Sequence, residues 1–261
     1  METGGSSGSA GSAGTPAGGT SGEAGSPEAG AAGSAGAGPV EDCVAGSEPP
    51  PGSLIHRYSF DGTGTVIVDS VSATDGELHG TALDGSGILS MGEDGDFVDL
   101  PDGIISSLTD MTVVTWTTWS GEAAWGRVFD FGLNTSNYVA VMSKTGFEMQ
   151  AKPGLGGEIK VSGFPTVTLA SIEDMKNRSG QVGFVLRGGV SASLYLDGTW
   201  LASEPTAITL ADIDDQNNWI GQSKYVDNPP YIGNYEEFRI YDAALDACQL
   251  HTLLVRGPQT P

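Results

Sequence analysis

Hydrophobic and polar positions alternate along this chain in short runs that recur from residue 54 to residue 241. In LIHRYSF (54–60), Leu54, His56, Tyr58 and Phe60 alternate with Ile55, Arg57 and Ser59, the two-residue period of a half-buried strand. VIVDSV (66–71), ILSM (88–91) and DFVDL (96–100) follow. MTVVTWTTW (111–119) is the strongest strand signal, being rich in β-branched and aromatic residues. RVFDFG (127–132), YVAVMS (138–143), FEMQAK (147–152) and VGFVLRG (182–188) continue the series. SASLYLDGTWLAS (191–203) predicts a hairpin, with Asp197–Gly198 taking the positive φ of a tight turn. NWIGQS (218–223) and EEFRIY (236–241) close the set. Many short strands, frequent turn residues and no βαβ rhythm predict an all-β antiparallel sandwich or barrel.

One helix is predicted. In ALDACQLHTLL (244–254) the period changes, and Asp246 followed by Gln249 is a capping box. Leu245, Cys248, Leu250, Leu253 and Leu254 supply its apolar side. A weaker helical turn is expected at Ile104–Leu108.

Composition divides the chain. Residues 1–52 are mostly Gly, Ala, Ser, Pro, Thr and Glu, without Lys or Arg. Such a stretch buries too little apolar surface to offset the entropy of ordering it, so it is expected to be a disordered linker or stalk. Residues 53–261 hold every Trp, Tyr and Phe and are expected to form one domain. Net charge is −22, of which the tail supplies six, leaving −16 on the domain. That surface repels nucleic acid and anionic lipid, and suits neutral glycans, cationic partners or divalent cations. No apolar run is long enough to span a membrane, and no export leader follows Met1. A Gly/Ser/Ala stalk before a β-domain nevertheless has the layout of a secreted or surface-tethered envelope protein, bacterial and lipoprotein-like. A leader is therefore expected to be missing ahead of this chain.

Glu236-Glu237-Phe238-Arg239-Ile240-Tyr241, then Ala244-Leu245 and a terminal helix, resembles the ending of laminin G-like jelly rolls in the concanavalin A-like lectin/glucanase group. HRYSFDG (56–62), FVDLP (97–101), MTVVTWTTW and LYLDG (194–198) fall in that family's order. The resemblance spans about residues 54–254. It implies a two-sheet antiparallel jelly-roll sandwich with one short C-terminal helix. Glu236 stands where the family more often has Asp, and the Trp-His pair often found before the central strand is absent.

Glucanases of this group carry Glu-x-Asp-x-Glu on one strand, so that alternate carboxylates serve as acid and nucleophile. Nothing here matches. Glu93, Asp94 and Asp96 lie in a glycine-rich turn, and Asp212, Asp214 and Asp215 in a loop. Glu236 and Glu237 are adjacent, hence on opposite faces of a strand. His56, His79 and His251 show no zinc-site spacing, and no nucleophile elbow or P-loop occurs. No catalysis is expected.

The resemblance implies a structural calcium held by the carboxylate opening the last strand. Glu236 takes that position, sharing a face with Phe238 and Ile240. Glu237 and Arg239 are left as a weak surface ion pair. For ligand binding the candidates are Trp119, Trp125 and Tyr225 as stacking platforms, with Asp130, Asn137, Asp227 and Asn228 as hydrogen-bonding neighbours. Trp125 and Tyr225 fall in loops, where function concentrates. Trp116, Trp119 and Trp200 also fit core positions. First and last strands of such jelly rolls lie side by side, so Cys43 and Cys248, the two cysteines, are expected to pair in an oxidising compartment. The expected function is recognition of a glycan or an extracellular protein without catalysis. A structural or adhesive role and an unrecognised glycoside hydrolase are the alternatives.

Overall fold

The strand periods become two stacked antiparallel sheets in a computed structural model that describes Cys43, residues 47–146 and residues 154–260. Most of the expected linker, and the strand expected at 147–152, lie outside the described residues. In chain order the strands are β1 (Leu54–Tyr58), β2 (Thr63–Gly64), β3 (Val66–Ile67), β4 (Gly76–His79), β5 (Leu83–Asp84) and β6 (Leu89–Met91). Next come β7 (Phe97–Leu100), β8 (Asp110–Trp119), β9 (Arg127–Asn134), β10 (Asn137–Met142), β11 (Gly156–Lys160) and β12 (Val167–Ala170). The set ends with β13 (Arg178–Arg187), β14 (Ser191–Leu196), β15 (Thr199–Pro205), β16 (Asn217–Ile220), β17 (Gly233–Tyr241) and the helix α1 (Ala247–Arg256).

One seven-stranded sheet runs β1-β17-β8-β13-β14-β15, with β6 also pairing β17. The eight-stranded sheet runs β12-β11-β10-β9-β16-β7-β4-β3. Between them lies the main core, in which Phe129, Phe131, Phe184 and Phe238 meet edge to face. The outer face of the seven-stranded sheet is covered. Ala247, Leu250 and Leu253 of α1 pack there on Val114, Trp116, Val185 and Tyr195. The helix starts as its sequence prescribes, with Asp246 accepting from the Gln249 amide and Gln249 accepting from the Asp246 amide. Asp197 and Gly198, both with positive φ, turn the β14–β15 hairpin.

Several expectations change. β4, β11 and β12 were not foreseen, nor were β2 and β5, which pair as a separate two-stranded ribbon, and VIVDSV keeps two strand residues. At 104–108 there is a turn, Leu108 N donating to Ile105 O, and no helix. The larger correction concerns Glu236 and Glu237. A bulge between Tyr235 and Glu237 makes Glu236 the extra residue. Tyr235, Phe238 and Ile240 therefore point into the core, and Glu237, Arg239 and Tyr241 point under the helix. Glu237 and Arg239 are fully buried, not a surface pair. Glu237 Oε1 accepts from Arg57 Nε at 2.5 Å and from Arg239 Nε at 2.7 Å. Arg239 lies 4.8 Å over the Trp116 ring and donates to the carbonyls of Pro258 and Thr260 at 2.7 and 2.9 Å.

Cys43 and Cys248 form a disulfide with Cα atoms 5.1 Å apart, tying the start of the domain to α1. It spans a separation of 205 residues, for which loop-closure entropy gives about 5 kcal/mol. Urea unfolding of the oxidised chain should therefore need more denaturant than that of the Cys43→Ser/Cys248→Ser variant, and superimposable curves would refute a stabilising bridge. Glu237→Gln should cost about 3–5 kcal/mol by leaving buried Arg239 and partly buried Arg57 without their anion. Glu236→Ala, at the half-buried bulge, should cost far less in the same measurement.

Candidate functional site

While α1 covers one sheet, the outward face of the other carries side chains that the core does not use. On β10, Tyr138, Ala140 and Met142 point outward and form their own small cluster with Trp125 and Tyr225. Neighbouring strands add Arg127 and Asp130 (β9), Glu158 and Lys160 (β11) and Trp219 (β16), because Trp219 and Ala140 both pair Asp130, Ala140 pairs Glu158, and Tyr138 pairs Lys160. Two loops rise over this row. The loop before β9 brings Trp125, whose amide donates to Lys144 O at 2.8 Å. Trp125 holds φ +77°, a costly conformation for a bulky residue and one often found at ligand sites. Its indole passes over Gly146, where a Cβ would fall 2.5 Å from the ring. The loop after β16 brings Tyr225, which packs edge-on against Tyr138 at 5.9 Å and donates to Thr135 O at 3.0 Å.

Between these walls lies a pocket of about 190 Å³ lined by Trp125, Arg127, Tyr138, Glu158, Tyr225 and Asn228. Tyr138 donates a very short hydrogen bond to Glu158, and burial followed by that carboxylate pushes its phenol pKa far above the usual tyrosine value. A second pocket, of about 240 Å³, opens on the other side of the same loop and shares Tyr225 and Asn228, adding Trp219 and Pro229. Beyond it Trp219 meets Phe97 edge-on, and His79 stacks on Phe97 at 4.5 Å.

Buried charge anchors this loop. Lys224 Nζ donates to Asp130 O, Asp130 Oδ1 and Asn217 O at 2.8–3.0 Å, and its amide donates to Asp130 Oδ2 at 3.2 Å. Burial pulls the Lys224 ammonium below the usual lysine pKa, against the opposing pull of Asp130. Ser223 Oγ accepts from the Tyr225 amide and from Asn228 Nδ2, which closes the turn.

The structure thus brings Trp125, Tyr225 and Asn228 together around one pocket, with Asp130 buried beneath it. Trp119 is 2 % exposed in the inter-sheet core, so it offers no platform. Asn137 opens β10 and accepts from the Ser162 amide, and Asp227 is exposed at the loop tip without lining either pocket. Arg127, Tyr138, Glu158 and Trp219 were not foreseen. Their signal was a large or charged residue at the outward phase of a strand, as in NNWI, where Asn218 and Ile220 are buried and Trp219 is not.

The carboxylates set aside at the sequence level have structural tasks. Asp96 accepts from the Gly92 and Glu93 amides, Asp215 from Ile105 and Ser106, and Asp212 from Thr209. His56 meets Asp69 at 2.7 Å, in a loop that Asp69 organises through the Arg57, Val71 and Ser72 amides. Among the described residues no three His, Cys, Asp or Glu side chains gather to hold a metal ion.

A two-sheet jelly roll with a helix-capped sheet and an open sheet defines a lectin-like β-sandwich. The chain belongs to the laminin G-type family of the concanavalin A-like lectin/glucanases superfamily, whose model matches residues 90–251. No curated protein sequence matches it. Among solved structures, domain 4 of AbnA, a GH43 extracellular arabinanase from Geobacillus stearothermophilus in complex with arabinotriose, is similar. It has 17% identity and TM-score 0.58, over 76% of this chain and 97% of that one. Trypanosoma rangeli sialidase with 2,3-difluorosialic acid has 13% identity and TM-score 0.59, over 78% of this chain and 33% of the sialidase. The binding domain of botulinum neurotoxin DC, in complex with rat synaptotagmin II, has 12% identity and TM-score 0.58, over 78% and 51%. The chain thus spans a third of the sialidase and half of the neurotoxin domain, and at these identities the likeness is one of fold.

Lys224→Met should loosen the loop that carries Tyr225. A loss of about 3 kcal/mol in urea unfolding, with faster amide exchange across 221–230, is expected; unchanged exchange would show that Lys224 does not hold the loop.

Proposed function

We propose that this domain is a non-catalytic extracellular recognition module that binds a glycan on the outward face of the eight-stranded sheet. The observation that carries this reading is the placement of Trp125 and Tyr225, from two separate loops, on either side of a pocket that also presents Arg127, Glu158 and Asn228. Flat aromatic walls with a few convergent hydrogen-bonding groups suit a sugar ring, with its apolar faces and hydroxyl rim. Glu158 is the one carboxylate lining that pocket, whereas glycoside hydrolysis ordinarily needs two flanking the scissile bond. The arabinotriose complex of the similar arabinanase domain and the disulfide, which fits an oxidising setting, support the same reading. A protein ligand, as in the neurotoxin–synaptotagmin complex, is the alternative occupant of this surface.

The test is a glycan array probed with the full chain, followed by calorimetry on the hits. Trp125→Ala and Tyr225→Ala should each weaken binding at least about tenfold while melting close to the parent. Hits that bind both variants unchanged would move the site elsewhere, and an array without hits, from folded protein, would favour a structural or adhesive role.

A further inference from the structure

Beneath the pocket one carboxylate is shared between two cations. Asp130 is fully buried and faces two buried cations, Arg127 Nε at 3.3 Å and Lys224 Nζ at 2.9 Å. One carboxylate cannot neutralise both. Lys224 is satisfied, since three oxygens ring its ammonium. Arg127 is not. Its Nε has long contacts to Asp130 and Ser223, both 3.3 Å, its guanidinium lies 5.8 Å from the centre of the Tyr138 ring, and its Nη1 is buried with no hydrogen-bond partner among the described residues. A guanidinium out of water and engaged on one edge alone is costly, and it gains most from a carboxylate, whose two oxygens match its fork. Arg127 is also the cation that lines the pocket.

Two further features agree. Lys160 Nζ stands at the rim, 3.3 Å from Tyr225 Oη, and makes no ion pair among the described residues. The whole chain has 11 Lys and Arg against 33 Asp and Glu, yet Arg127, Lys160 and Lys224 converge on this one face, beside Asp130, Glu158 and Asp99. Glu158 is the local counterweight. Its Oε1 takes the Tyr138 hydroxyl, and its carboxylate makes no ion pair with Arg127, so it supplies an acceptor for hydroxyl groups.

We infer that the pocket takes a sugar bearing a carboxylate, which seats its acid group against the Arg127 guanidinium with Lys160 at the rim. Glu158 and Asn228 then serve the ring hydroxyls, and Trp125 and Tyr225 its faces. This rests on the recognition reading and narrows it to acidic sugars of the uronic or sialic type. A polyanion is disfavoured, because a chain of net charge −22 repels one at every point beyond the pocket. The ligand carries its acid singly, on an otherwise neutral glycan.

Matched probes test this with the full chain: glucuronic-acid- against glucose-terminated oligosaccharides, galacturonic against galactose, and sialyllactose against lactose, with heparin and a Glu-rich peptide alongside. The acid partner of at least one pair should bind about tenfold or more tighter. Arg127→Met should erase that preference, Lys160→Met should reduce it several-fold, and Trp125→Ala should weaken both partners alike. If Arg127→Met does not fold, Arg127→Lys and the half-buried Lys160→Met carry the test. Neutral partners bound as tightly as acidic ones would overturn the acid seat while leaving glycan recognition standing. Tightest binding of heparin or the peptide would overturn the sugar class, and folded protein that binds none of the probes would overturn both readings.

Discussion

The buried carboxylate of Glu237 is the constraint on which the last strand depends. It lies between Arg57 of β1 and Arg239 of its own strand, and all three sit between the seven-stranded sheet and what covers it. Taking these charges out of water is tolerable only because each is paired, although Arg239 Nη1 stays buried without a partner among the described residues. That requirement ties together segments distant in the chain. β1 must lie beside β17 for Arg57 to reach Glu237, and the residues after α1 must return across the sheet for Pro258 and Thr260 to receive Arg239. It also sets the bulge. Were residue 236 accommodated in a regular strand instead of a bulge, Tyr235 and Glu237 would share a face, and either the carboxylate would enter the phenylalanine core or Tyr235 would leave it. Buried ionic groups of this kind favour one register over its neighbours more than they add raw stability.

The same sheet shows why the candidate site lies where it does. With α1 and the C-terminal segment on one outer face, the other sheet keeps its outward face free, among the described residues, for side chains of the wrong character for a core. Its loops are not loose attachments. The Tyr225 loop is fastened by Lys224 reaching down to Asp130, and the Trp125 loop by strained backbone fitted against Gly146. Preorganised aromatic walls lose little entropy when a ring enters between them. The buried Asp130 holds the loop that carries the wall above it.

Much of this architecture was legible in the sequence because period-two alternation reports burial directly. MTVVTWTTW, VGFVLRG and EEFRIY are central strands of their sheet, and their patterns are correspondingly clear. β4, β11 and β12 escaped because short strands such as GELH and GGEIK hold few β-branched or aromatic residues. Their pairing is imposed by neighbours. The reading of Glu237 failed for a different reason. Parity places Glu237 and Arg239 opposite Phe238 and Ile240, as found, but it does not report that α1 and the C-terminal segment cover that face. Cys43–Cys248 and the capping box were readable because each depends on two residues and a known topology. The site was half-readable. Trp125 and Tyr225 betrayed themselves as aromatics in loops, whereas Tyr138, Arg127 and Glu158 belong to strands separated in sequence and meet only through pairing across β9, β10 and β11.

That last point bears on what the family likeness can carry. At 17% identity to the arabinanase domain and 12% to the neurotoxin domain, the two sheets are retained while few side chains can be. The frame is fixed by burial, which many apolar sequences satisfy equally well. Ligand choice depends on loop residues and outward strand positions, which burial does not constrain. The features that make this face particular are of that second kind: a tryptophan at positive φ, a loop pinned by a buried lysine, and an arginine short of partners. None of them helps to hold the sheets together, and two of them cost stability. A strained backbone and an under-paired cation persist in a marginally stable fold only where something offsets them. A bound carboxylate would remove the second cost at its source, by completing in the complex a hydrogen-bonding set that the free protein leaves open.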